Sequence, residues 1–156
     1  MKSGMKMAET QKSEPMVIDA EIMILDKPTQ SNVDGSGGNI YPQAVAERII
    51  LDVMTGKRKY DIEEVSPVER RLKKKAPFEA WPEHAMAESV GARIDEGRFI
   101  MSFKVKSNKY GKLLKDAIDT HGLEKIDFFP VGIGNPDENH MVNDYQLSYV
   151  TFEVKK

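Results

Sequence analysis

Residues 17–25 read VIDAEIMIL, a β-branched, apolar run that predicts a buried strand ending at the turn-forming Asp26, Lys27 and Pro28. A glycine-bearing polar loop follows over 29–39. Pro42 then stands where a first helical turn tolerates it, and Val45, Ile49, Ile50 and Val53 form a helical stripe that stops at Gly56. Between Arg98 and Lys106 the pattern changes to a period of two. Phe99, Met101, Phe103 and Val105 alternate with Ile100, Ser102, Lys104 and Lys106, which predicts a half-buried strand. The turn Asp95-Glu96-Gly97 joins it as a hairpin to SVGARI at 89–94. From Lys109 to His121, Leu113, Leu114, Ala117 and Ile118 share one helical face, and Gly122 supplies the stop. A polar loop over 135–144 leads to a last strand, YQLSYVTFEV, ending in two lysines.

Strands outnumber helices and no internal repeat is present, so the expected fold class is α+β. It is a single domain with a curved, mainly antiparallel sheet or small β-barrel flanked by two to three helices. The length of 156 residues suits one core. Residues 1–15 are polar and without an apolar face, and predict a flexible N-terminal arm ahead of a domain over 16–156. Residues 57–75 hold two basic clusters about an acidic middle and predict an excursion from that domain, with a short helix starting at Pro67 and running through Arg71 and Lys75. The proline-bounded stretch after it is expected to be mostly irregular, with Trp81 packing on the domain edge.

A net charge of −2 gives no overall attraction to nucleic acid or anionic membrane. The absence of cysteine removes disulfides, thiolate metal sites and a thiol nucleophile. The first residues carry lysines without an apolar run, so neither a signal peptide nor a membrane span is expected. The loop DGSGGN lacks the Lys-Ser/Thr of a phosphate-binding loop and the glycine spacing of a dinucleotide fingerprint. His84, His121 and His140 are not spaced as metal ligands, and the acidic loop 137–144 lacks the glycine and terminal glutamate of a calcium loop. Neither metal nor cofactor is expected. Arg70, Arg71, Lys73, Lys74 and Lys75 form a positive patch for an acidic protein surface or for phosphates, without the interleaved aromatics of sequence-specific RNA reading.

The stretch DFFPVGIGN at 127–135 is the odd one. It has the apolar character of a buried strand, yet Pro130 removes a ladder donor, and Gly132 and Gly134 cost backbone order. Burial of Phe128, Phe129, Val131 and Ile133 is expected to hold it in place.

Taken in order, VDGSGGNIYPQAVAERI (33–49), EHAMAESVGARIDEGRFIMSFKV (83–105), YGKLLKDAIDTHGLEKIDFFPVGIGN (110–135) and VNDYQLSYVTFEV (142–154) resemble the prohead (head maturation) protease family of tailed phages, which shares its fold with the herpesvirus assembly proteases. The resemblance covers about residues 17 to 154. It implies serine proteolysis, with a serine on the strand after the helix, a histidine that activates it and backbone N–H groups that hold the oxyanion. Carried over, the histidine falls on His84 and the nucleophile on Pro130, with Gly132 and Gly134 as the remains of an oxyanion-type loop. Pro130 can neither attack a carbonyl nor donate an N–H. No Ser, Thr or Cys other than Ser148 lies between His121 and Thr151, and those two belong to the closing strand.

The expected function is therefore non-catalytic. The chain reads as a phage structural or head-associated protein that contacts a capsid or other virion protein, self-association included, in the host cytoplasm during assembly or in the virion. The alternatives are a divergent serine-type protease using His84 with Ser89 or Ser107, and a nucleic-acid-binding or host-directed phage protein using the 70–75 patch.

Overall fold

The computed structural model describes residues 16–28, 38–64 and 82–155. One sheet organises the fold. The strands are β1 (Val17–Ile24), β2 (Asp61–Ile62), β3 (Ala87–Asp95), β4 (Arg98–Val105), β5 (Ile126–Ile133) and β6 (Gln146–Val154), in the spatial order β1-β4-β3-β2-β6-β5. All neighbours are antiparallel except β2 and β6. Among the described residues this is a mixed α+β single domain with an open six-stranded sheet and two helices, α1 (Gln43–Met54) and α2 (Lys109–His121).

Local sequence explains most of the elements. In β4 the alternation is strict: Phe99, Met101, Phe103 and Val105 are all buried. The hairpin to β3 turns through Glu96 (φ 49°) and Gly97 (φ 75°), the pair of positive φ values that a two-residue turn between twisted strands requires. Pro42 sits at the N-cap of α1 in extended conformation, and Val45, Ala46 and Ile49 enter the core against β3. Asn108 caps α2, its side-chain carbonyl accepting the Gly111 N–H at 2.8 Å. Gly122 ends that helix at φ 87°.

The sheet curls so strongly that its two edges meet. Cα atoms of β1 and β5 come within 8 Å of each other, although no ladder joins them. At one end the seam is stapled by Ile40 and Tyr41, which bridge to Leu25 and Pro28 on one side and to Met141 on the other. One buried cluster fills the concave face, with Ala20, Ile62, Phe99, Met101, Phe103, Leu114 and Val150 at its centre.

Three expectations need correction. Leu113 is half exposed while Leu114 is fully buried, so the buried face of α2 is narrower than its apolar stripe. Within the expected excursion over 57–75, Tyr60, Ile62 and Glu63 are buried and β2 is wedged between β3 and β6, while Lys57, Arg58 and Lys59 are exposed and 65–75 lie outside the described residues. Ile133 is exposed and Phe129 half-buried, because β5 lies at the sheet's edge and only one of its faces is wholly covered. The expected arm over 1–15, the short helix from Pro67, Trp81 and the patch Arg70, Arg71, Lys73, Lys74 and Lys75 lie outside the described residues.

Candidate functional site

Pro130 is explained by which way its backbone faces. Val150, its ladder partner on β6, accepts the Glu63 N–H at 2.8 Å and so directs its carbonyl to β2. In an antiparallel pair both residues then turn their polar backbone groups away from each other. Pro130 therefore points its nitrogen and carbonyl out of the sheet, at the open edge, where the missing N–H breaks no bond. The same alternation follows from the Lys155 N–H bonded to the Lys125 carbonyl at 2.7 Å: residues 127, 129 and 131 face β6, while Ile126, Phe128 and Pro130 face the edge. On β1 the Val105 N–H bonds the Met16 carbonyl at 2.8 Å, which leaves Val17, Asp19 and Glu21 facing the edge.

The glycines answer to packing. Gly132 is part of β5, paired with Leu147, and a Cβ there would strike the Gln146 carbonyl and the Tyr145 ring. Gly134, just past the strand, would strike Val142 and Tyr145. Tyr145 in turn packs edge-on against Tyr41, with ring centroids 4.9 Å apart. The two glycines let a tyrosine pair close the stapled end of the seam. They lie in and beside a strand, which corrects the expectation of a loop remnant.

Between the two edges runs a groove of about 960 Å³. Ile22, Ile24, Leu123, Phe128, Phe129 and Pro130 give it an apolar floor, and Asp19, Glu21, Glu124 and Asp127 stand round it with Lys27 and Lys155. Four carboxylates and two ammonium groups line it, and two guanidinium groups, those of Arg93 and Arg98, pair with Asp19 and Glu21. Asp19 accepts the Ser102 hydroxyl at 2.6 Å and Arg93 at 3.2 Å. The Ser102 bond holds its carboxyl below the ordinary value, with burial working against it and Arg93 adding to it. Glu21 pairs with Arg98 at 3.5 Å and Asp127 with Lys155 at 3.2 Å.

The residues named for catalysis are elsewhere. His84 is half-buried in a 3-10 turn before β3 and stacks on Tyr110 of α2 at 4.9 Å. One ladder row runs Val105, Ala87, Ile62, Val150, Pro130. Ala87, three residues after His84, is thus three strand spacings from Pro130, about 14 Å along the sheet. Ser89 is buried, and its hydroxyl accepts the Tyr60 N–H at 2.9 Å. Ser107 is exposed.

His121 and His140 are exposed, the first in the last turn of α2 and the second at a positive φ in the polar loop. Asp137 organises that loop by accepting the Asn139 and Met141 N–H groups at 2.8 and 2.9 Å. Among the described residues no group of three or more acidic or histidine side chains is placed to hold a metal ion, and no helix is long and apolar enough to cross a membrane.

No family model matches the chain, and no curated protein or solved structure matches it at a significant level. The groove went unread in the sequence because its two walls are about a hundred residues apart. The one available signal was Pro130 itself: a proline in the middle of a strand marks an edge.

Proposed function

We propose that this chain is a non-catalytic interaction protein, acting by protein–protein contact on a capsid or other virion protein. One observation carries the reading. The position that the prohead-protease resemblance assigns to the nucleophile holds an imino acid whose polar atoms face an unpaired strand edge, beside a groove with an apolar floor. A row of unpaired backbone groups is suited to joining another chain and carries no nucleophile of its own. His84 supports the same reading, since its ring is stacked on Tyr110 and Ala87, three residues after it, lies three strand spacings from Pro130.

The test is to incubate the purified full chain with the capsid and scaffold proteins encoded in the same genome, following retention and cleavage together. Retention without fragments is expected. Fragments that appear with the native chain and vanish with His84→Ala would replace this reading with a divergent hydrolase.

A further inference from the structure

We propose that β2 is a pH-sensitive joint in the sheet, held closed when Asp61 is protonated and loosened when Asp61 and Glu88 are both ionised.

The joint is short and placed where the sheet depends on it. In the strand order, β2 alone links the antiparallel unit β1-β4-β3 to the antiparallel pair β6-β5. It pairs with β3 through Asp61 and Ile62, and with β6 through Ile62 and Val150. The Ser89 N–H donates to the Tyr60 carbonyl at 2.7 Å, while the Met86 N–H donates to the Ile62 carbonyl and the Glu63 N–H to the Val150 carbonyl, each at 2.8 Å. Burial of Tyr60 and Ile62 keeps these bonds made in most molecules.

Charge works against them. Tyr60 and Ser89 turn their backbone groups toward each other, so Asp61 and Glu88, the next pair along, turn theirs away and stand at the closer spacing of the ladder, roughly 4.5 Å between Cα atoms. Their side chains share the face opposite to Ile62, and like charges directly opposite one another destabilise a sheet. Lys104 follows Glu88 in the same row, Lys59 pairs with Glu88 at 3.9 Å, and Lys106, past the end of β4, attracts Asp61. From β6 the flanking residues are Tyr149 and Thr151, neither of them charged below neutral pH, and Glu63 lies buried on the same face of the chain just past β2.

Asp61 is half-buried among these neighbours. Burial is the largest influence on its carboxyl and raises it above 3.8, with Lys106 opposing and Glu88 reinforcing the shift. Detaching β2 returns the carboxylate to water and takes it away from Glu88. The ionised form therefore favours the open joint, and the closed state, at full strength below pH 3.8, weakens as pH rises through the raised value.

The experiment is amide hydrogen exchange on the full chain at about pH 4 and about pH 7, expressed as protection factors so that the intrinsic pH dependence of exchange cancels. Glu63, Met86 and Ser89 report the joint; Met101 and Phe103, buried in β4, report opening of the whole fold. Between the two pH values the joint amides are expected to lose at least about threefold more protection than the β4 amides. Asp61→Asn and Asp61→Ser, two neutral side chains of different size, are each expected to cut that excess to less than about 1.5-fold. Lys106→Gln, which removes the opposing cation, is expected to enlarge it.

Equal changes at the joint and in β4 overturn the proposal, because β2 then opens only with the whole fold. An excess that survives both neutral variants overturns it as well, by assigning the effect to a carboxylate other than Asp61. So does an excess that Lys106→Gln makes smaller.

Discussion

Val150 and Pro130 stand opposite each other with their backs turned: the Val150 carbonyl accepts Glu63 on one side, and Pro130 faces the open edge on the other. A proline placed one residue earlier would face β6 instead. Pro130→Val is therefore expected to cost no more than about 1 kcal/mol, whereas Phe129→Pro costs about 3 kcal/mol or more by removing a ladder bond. Urea denaturation measures both, with Phe129→Ala as the control for the lost ring. Pro130→Val also restores an edge donor, and concentration-dependent association in sedimentation is the expected sign.

Gly132→Ala is expected to destabilise the fold by about 1–3 kcal/mol, because the added methyl meets the Gln146 carbonyl and the Tyr145 ring. The near-ultraviolet circular dichroism of Tyr41 and Tyr145 should change with it. An unchanged urea midpoint would show that this end of the seam gives way freely.

The two adjacent leucines of α2 should separate cleanly. Leu114→Ala empties a fully buried site and is expected to cost about 2–5 kcal/mol. Leu113→Ala, at 50% exposure, is expected to cost no more than about 0.5 kcal/mol. Asn108→Ala, which removes the cap on Gly111, should fall between them at about 1 kcal/mol.

Two carboxylates give opposite pH dependence. Asp19 is held below its ordinary value of 3.8, chiefly by Ser102. Its contribution is complete above that value and is lost as pH falls through the lowered folded-state value; Asp19→Asn should remove that acid-side loss. Burial raises Asp61 above 3.8, with Lys106 opposing and Glu88 reinforcing the shift. The folded state then holds the Asp61 proton more tightly than the unfolded state does, so stability falls as pH rises from about 3.8 through the raised value. Asp61→Asn is expected to be more stable than the native chain at pH 7 and to lose this fall. Urea midpoints between pH 3 and 7 check both signs.

The amino-acid sequence by itself determined the elements whose signal is local. The alternation in β4, the stripe and glycine stop of α2, and the glycine turn between β3 and β4 are properties of residues two to four apart, where backbone geometry fixes which side chains share a face. Only the tertiary structure decided what those elements do. The two-residue β2 has no period to read, and it exists because β3 and β6 bond it from either side. Leu113 and Leu114 are equally apolar, and packing alone exposes one and buries the other. Whether Pro130 harms or fits depends on the bond that Val150 makes to a strand far away in the chain. The groove likewise joins residues 19–28 to 123–130, a meeting set by the closure of the sheet and carried by no local pattern.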